Sequence, residues 1–200
     1  RVEIRTLNVG KVRVLGIVSE HIAPGVVYDV LGVNGARASR ILSWNQTALA
    51  TVLAQRKPDL IVLAYGTNEV ADADWTAGSY QHFLAGILRR LHNAAPQASL
   101  LVLGPPDRGD LPLAANRMAA MIEAQRRAAF EAGAAFWSSY DAMGGARAMN
   151  AWMAQGLGQA DHVHLTRAGY NRIGDLLYQD MMLAYNATPS RRRGSPLDRP

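Results

Sequence analysis

Leu60-Ile61-Val62-Leu63-Ala64 is an uninterrupted apolar run that ends at Tyr65-Gly66. A strand with one face in water alternates apolar and polar residues. A short run without alternation reads as a strand covered on both faces, as in a parallel sheet. Parallel neighbours need a crossover of a dozen or more residues, usually a helix. The run therefore predicts alternating strand–helix units, and the flanking sequence supplies them. Asp59 to Tyr65 reads as a strand and 76–94 as a helix that stops before Pro96. Ser99 to Gly104 is a strand closed by Pro105-Pro106, and 112–131 is a helix rich in Ala and Met. Ala134 to Ser138 is a further strand, followed by helices at 146–155 and 166–185. Upstream, Val26 to Val33 reads as a short apolar strand, then Asn34-Gly35 as a turn. Ala36 to Gln55 follows as one long helix, with Ile41, Leu42, Leu49, Val52 and Leu53 at helical spacing.

Such a pattern predicts an α/β fold, a three-layer α/β/α sandwich with a mostly parallel sheet. The first residues fit it poorly. Val2 to Thr6 and Lys11 to Val18 are β-branched runs around Asn8-Val9-Gly10, a hairpin signal. Residues 1–22 are therefore read as the end of a preceding β-rich module or insert, 23–186 as the main domain, and 187–200 as a disordered basic tail. With 18% charged and 49% hydrophobic residues the chain belongs with globular domains. No apolar run reaches the roughly 18 residues of a membrane span. The absence of cysteine excludes disulfides and thiolate chemistry. The net charge of +5 is concentrated at the end, where Arg191, Arg192, Arg193 and Arg199 face only Asp198. The body lacks a basic stripe with interleaved aromatics, so no nucleic-acid partner is expected.

In parallel α/β sheets reactive groups gather at the carboxyl ends of strands, which directs attention to the loops after Val33, Tyr65 and Ser138. Three segments carry the chemistry. Asp161-His162-Val163-His164 stands before the helix near Thr166-Arg167-Ala168-Gly169. An Asp three residues before a His can hold the imidazole Nδ1–H and leave Nε2 as a general base. A solvated loop with two histidines is the plainer reading. A metal held by His162 and His164 is a third, although alternation separates the two rings and no further ligand stands nearby. Tyr65-Gly66-Thr67-Asn68-Glu69 places an Asn amide just past a strand end, where it suits an oxyanion. Read alone, an ordinary strand-ending turn is the plainer reading, and Glu69 either serves catalysis or orients the next helix. Gly32-Val33-Asn34-Gly35-Ala36 is a strand-to-helix turn whose backbone N–H groups favour anionic oxygen.

The order and placement of these segments resemble the SGNH/GDSL-type hydrolases over about residues 26–185. In that family a Gly of the second block, a Gly-x-Asn-Asp-type third block and an Asp-x-x-His fifth block recur. Gly35, Gly66-Thr67-Asn68-Glu69 and Asp161-His162-Val163-His164 resemble them, with Glu69 where Asp is usual. The run Val27 to Ala36, Pro105-Pro106-Asp107-Arg108, and Met143-Gly144-Gly145 with Trp152 resemble a bacterial subgroup that includes peptidoglycan O-acetylesterases. The resemblance implies a flavodoxin-like fold and a serine-dependent carboxylic ester hydrolase without cofactor or metal. It implies His164 as general base and Asp161 as its partner, Gly35 and Asn68 as oxyanion donors, and Gly66 and Glu69 near the substrate. The implied substrate is an O-acetylated glycan or small ester, and the implied location is the periplasm or outside the cell.

One departure matters. The family's nucleophile lies in a Gly-Asp-Ser first block, and this sequence contains no such tripeptide. Ser19 is the only serine before Gly35, and it lacks the preceding Asp. Members of the subgroup carry a β-sandwich between the first and second blocks, and the opening hairpin resembles the tail of such an insert. On that reading the serine lies upstream of Arg1, and these 200 residues alone are expected to be inactive. The rival expectation is a non-catalytic homologue that binds acylated glycan.

Overall fold

β1 (Leu60–Ala64), β2 (Ser99–Gly104) and β3 (Ala135–Ser138) pair in parallel in the order β1-β2-β3. The register sets Leu60 against Ser99, Ala64 against Leu103, Leu101 against Ala135 and Gly104 against Ser138. This is the arrangement in a computed structural model, which describes residues 3, 5, 7, 10–12, 18–20, 23–110 and 114–188, the side chains of 114–116 excepted. Arg1–Asn34 and Gly35–Pro200 form two compact units. The sheet belongs to the second.

Among the described residues of that unit the α-helices are α1 (Gln46–Arg56), α2 (Ala77–Ala94), α3 (Ala114–Glu131), α4 (Ser139–Met143), α5 (Ala148–Ala154) and α6 (Arg167–Ala187). α2 starts where the Thr76 side chain accepts the Ser79 N–H while Ser79 Oγ accepts the Thr76 N–H, a reciprocal cap. Its Tyr80, Leu84, Ile87, Leu88 and Leu91 recur at helical spacing and are all buried. α3 brings Met118, Met121, Ile122, Ala128 and Ala129 into the same core as Leu100 and Val102 of β2.

Neighbouring residues of β3 show helices on both faces of the sheet, because successive strand side chains point to opposite sides. The Arg126 guanidinium of α3 lies over the Phe136 ring, 5.3 Å from its centroid. The next residue, Trp137, donates its indole N–H to Asp180 of α6 at 2.8 Å. Three layers result, as expected for the SGNH hydrolase fold.

Three expectations are corrected. Residues 26–33 lie in no helix or sheet, and Val26, Tyr28, Val30 and Leu31 are exposed. Apolar β-branched sequence is not enough to make a strand; a strand also needs an edge to pair with. The helix expected over 36–55 is split. A 3₁₀ helix (Ala38–Ser43) ends at Trp44, and Asn45 then caps α1 by accepting the Ala48 N–H at 2.9 Å. Coverage of β1 also differs from a strand buried on both sides. Leu63 is buried, whereas Leu60 and Val62 are 42% and 44% exposed, and among the described residues β1 pairs only with β2. The hairpin expected at 2–6 and 11–18 and the tail beyond 188 fall largely outside the described residues.

Candidate active site

The Asp161–His164 segment is a pinned loop. Gln159 N–H donates to the His164 carbonyl and Thr166 N–H to the Leu157 carbonyl, both at 2.8 Å, and Gln159 Nε2 donates to the Leu165 carbonyl. Thr166 then caps α6 by accepting the Gly169 N–H. Gly169 is required by space. A Cβ there would stand 2.1 Å from the Leu157 carbonyl oxygen, so only glycine lets α6 start this close to the loop.

Within the loop Asp161 uses both oxygens. Oδ1 accepts the Val163 and His164 backbone N–H groups, each at 2.9 Å, and Oδ2 lies 2.7 Å from His164 Nδ1. The His164 N–H, the His164 ring and the Val163 N–H together hold the Asp161 carboxyl well below the usual carboxylate range. An ionised acceptor requires the proton on Nδ1, which leaves the Nε2 lone pair for a substrate-side proton. The His164 side chain is 61% exposed. His162 is turned elsewhere. Its backbone is left-handed (φ 60°), its carbonyl accepts the Gly109 N–H at 2.8 Å, and its Nδ1 is buried without a hydrogen bond. The two histidines therefore do not share a role. Among the described residues no cluster of three or more His, Asp or Glu side chains is placed to hold a metal ion.

Asn68 sits past the end of β1, its Nδ2 donating to the Ala36 carbonyl at 3.1 Å. That amide group has two N–H bonds, so the second is left for another acceptor. Glu69 stitches the two turns together: Oε1 accepts the Ala38 N–H at 2.7 Å and Oε2 the Gly66 N–H at 3.1 Å. A bidentate pair between Arg37 and Asp72, at 2.6 and 2.5 Å, adds a further tie outside it. Gly35, with φ 71°, is thus held beside Asn68, and its turn is one few other residues adopt. Gly66 has φ 118°, and a Cβ there would lie 2.7 Å from Gln125 Nε2 and 2.9 Å from Pro105 Cγ. Gly66 and Glu69 are both buried: the Glu69 carboxylate accepts from Gly66 and Ala38, and the Gly66 carbonyl accepts the Val70 N–H at 3.0 Å.

The loop after β2, which carries no role in the sequence reading beyond its resemblance, joins these parts. Asp107 is 1% exposed and accepts the Met149 N–H of α5 at 3.0 Å; burial pushes its carboxyl up and that N–H opposes the shift. Arg108 donates to the Thr67 carbonyl and to both oxygens of Asp110, and Gly109 donates to His162. The segment after Ser138, by contrast, enters α4 directly. From α3, Gln125 donates Nε2 to the Tyr65 carbonyl at 2.8 Å, below the Gly66 turn. In the sequence the only signal for this layer is the Pro105-Pro106-Asp107-Arg108 quartet at a strand end.

A parallel sheet between helices, with an Asp-paired imidazole and an Asn-bearing turn in its loops, defines the SGNH class of ester hydrolases. Within it, the chain belongs to the GDSL-like Lipase/Acylhydrolase family, whose profile matches residues 13–172. Its structure is similar to that of a peptidoglycan O-acetylesterase ("in action, 5 min"), with a TM-score of 0.71 and 27% identity. That match covers 79% of this chain and 46% of the other, so this chain spans about half the length of that protein. The fold is also shared with a lipase/acylhydrolase from Enterococcus faecalis (TM-score 0.54, 17% identity, 75% of this chain and 72% of that one). A carbohydrate esterase family 3 member from Talaromyces cellulolyticus gives 0.53 and 19%, over 78% and 70%. A search of curated protein sequences returns no significant match.

Proposed function

We propose that this chain supplies the base and oxyanion residues of a serine-dependent carboxylic ester hydrolase that removes O-acetyl groups from a carbohydrate such as peptidoglycan. The observation that carries the reading is the Asp161–His164 pair, with Nδ1 engaged and Nε2 open. The similarity to a peptidoglycan O-acetylesterase supports the acetyl-glycan substrate. Such a substrate lies outside the cytoplasmic membrane, which places the protein in the periplasm or outside the cell. No described helix is long and apolar enough to cross a membrane.

In the proposed reaction, His164 Nε2 takes the proton of a serine hydroxyl as its oxygen attacks the acetyl carbonyl. Negative charge develops on the carbonyl oxygen, where the free Asn68 N–H and the Gly35 N–H stabilise it. The imidazolium returns its proton to the departing sugar oxygen. Water, deprotonated by the same nitrogen, then releases acetate from the acyl-enzyme. Asp161 stays ionised throughout and holds the ring. Gly66 and Glu69, which the resemblance sets near the substrate, also brace the turn that carries Asn68, since Glu69 accepts the Gly66 and Ala38 N–H groups.

The serine itself is assigned to a Gly-Asp-Ser segment preceding Arg1. Among the described residues β1 pairs only with β2, and the unpaired edge supports a further strand beside it. The test is acetate release from O-acetylated peptidoglycan by the full-length protein, the serine variant, His164→Ala and Ser19→Ala. Turnover lost with the upstream serine and His164, and retained with Ser19→Ala, is expected. Glycan binding without turnover in every protein would instead establish the non-catalytic reading.

A further inference from the structure

Arg108 makes a fork in two directions from a largely buried position, its side chain 11% exposed. Nη1 donates to the Thr67 carbonyl at 2.6 Å, one residue before Asn68. Nε and Nη2 donate to Asp110 Oδ1 and Oδ2 at 2.9 and 2.5 Å. A planar guanidinium holding a carboxylate through two parallel bonds fixes orientation as well as distance. The residue between them, Gly109, gives its N–H to the His162 carbonyl at 2.8 Å, two residues before His164. A Cβ on Gly109 would press on His162 Nδ1 at 3.2 Å, so the two segments meet closely there. The base of the same loop is anchored by buried Asp107 on Met149. Arg108 draws the Asp110 carboxyl down, against its burial and, more weakly, the Asp161 charge.

Two segments far apart in sequence, at Thr67 and at His162, thus hang on consecutive residues of one loop. Thr67 is bonded to Arg108, Arg108 to Asp110, and His162 to Gly109. A carbonyl bonded by Arg108 cannot swing without carrying the Asn68 backbone with it.

We propose that Arg108 is a positioning residue: with Asp110 it sets the placement of the Asn68 amide relative to the His164 imidazole. The inference rests on the reading of those two residues as oxyanion donor and general base. Arg108 acts through Thr67 and through its own loop, and touches neither the acetyl group nor the nucleophile. A displacement of either group by about 1 Å costs on the order of 10²-fold in rate.

The experiment uses the full-length protein with 15N-labelled Asn and His, an acetyl ester substrate, and Arg108→Ala, Arg108→Lys and Asp110→Asn. Arg108→Ala is expected to lower kcat about 10- to 100-fold with KM within about twofold, and to move both the Asn68 side-chain amide and the His164 ring signals. Arg108→Lys keeps one donor for Thr67 without the fork and should recover part of kcat. Asp110→Asn leaves the arginine in place but loosens its orientation, and should give a smaller loss with both signals displaced in the same direction. It also guards against an Arg108→Ala protein that fails to fold. Unchanged Asn68 and His164 signals in folded Arg108→Ala or Asp110→Asn protein overturn the proposal, whatever the rate. The signals need no turnover, so the two readings separate. If His164→Ala retains full activity while the clamp variants still move both signals, the base assignment falls and the positioning role stands.

Discussion

Asp161 and His164 are joined twice: carboxylate Oδ2 meets ring Nδ1 at 2.7 Å, and Oδ1 accepts the backbone N–H of the same histidine at 2.9 Å. The second bond fixes the Cα of the residue whose ring the first bond orients. A general base needs one tautomer and one direction, and this double attachment gives both from a span of four residues. Because the backbone bond is local, it forms wherever the loop forms and does not wait for a ligand.

Replacement Asp161→Asn preserves the shape but removes the charge that favours the Nδ1–H tautomer. By analogy with other hydrolytic triads, kcat should fall about 10⁴-fold with little change in KM. The Asp161 carboxyl is depressed in the folded state, so its stabilising contribution is in place above the unfolded value of about 3.9 and is lost as pH falls through the lower folded value. Side-chain 13C titration of Asp161 checks this; a midpoint at or above the ordinary Asp value would refute it.

His164→Ala should lower kcat roughly 10⁴- to 10⁶-fold, the scale seen when a triad base is removed. His162→Ala should be mild, because that ring faces Gly109 and its role is confined to packing and a left-handed turn. Steady-state kinetics of both variants in the full-length enzyme decide the matter. Equal losses would return the metal reading.

Asn68→Ala removes one oxyanion donor and should cost about 10²–10³ in kcat, roughly 3–4 kcal/mol. KM should stay near its original value. A rise in KM at unchanged kcat would assign Asn68 to ground-state binding.

Glu69→Ala should act on stability first. It strands the Ala38 and Gly66 N–H groups, and a buried donor without an acceptor costs about 1–3 kcal/mol. Urea unfolding should show that loss, with Glu69→Gln intermediate because its amide keeps only one acceptor oxygen. A wild-type midpoint for Glu69→Ala would show that water reaches these groups.

Gly169→Ala drives a Cβ into the Leu157 carbonyl. The neighbouring loop from Leu157 to Thr166 must move, so kcat and Tm are expected to fall together. Full activity at an unchanged Tm would show that α6 can shift without the His164 loop.

How much of this was legible beforehand follows the range of the interactions. The strand–helix alternation, the three parallel strands and the Asp161–His164 pair are set by residues close in sequence. Apolar periodicity, Pro and Gly punctuation, and the reach of an Asp side chain over three residues suffice to read them. The run Val26 to Val33 has the same local character as β1 yet forms no strand, because a strand exists only where a partner edge supplies its hydrogen bonds. The break at Trp44–Asn45 is a competition that Asn45 wins by capping α1, and helical spacing alone conceals it. The apposition of Gly35 with Asn68 depends on Glu69 bonding Ala38, 31 residues away. The clamp depends on Arg108 reaching Thr67 across 41 residues. By itself the sequence singled out the candidate residues for the chemistry and the order in which they occur. Only the tertiary structure decided that Glu69 joins the Gly66 turn to Ala38 and that Arg108 bonds Thr67, because a buried polar side chain takes whichever partner the packed strands and loops bring within about 3 Å of it.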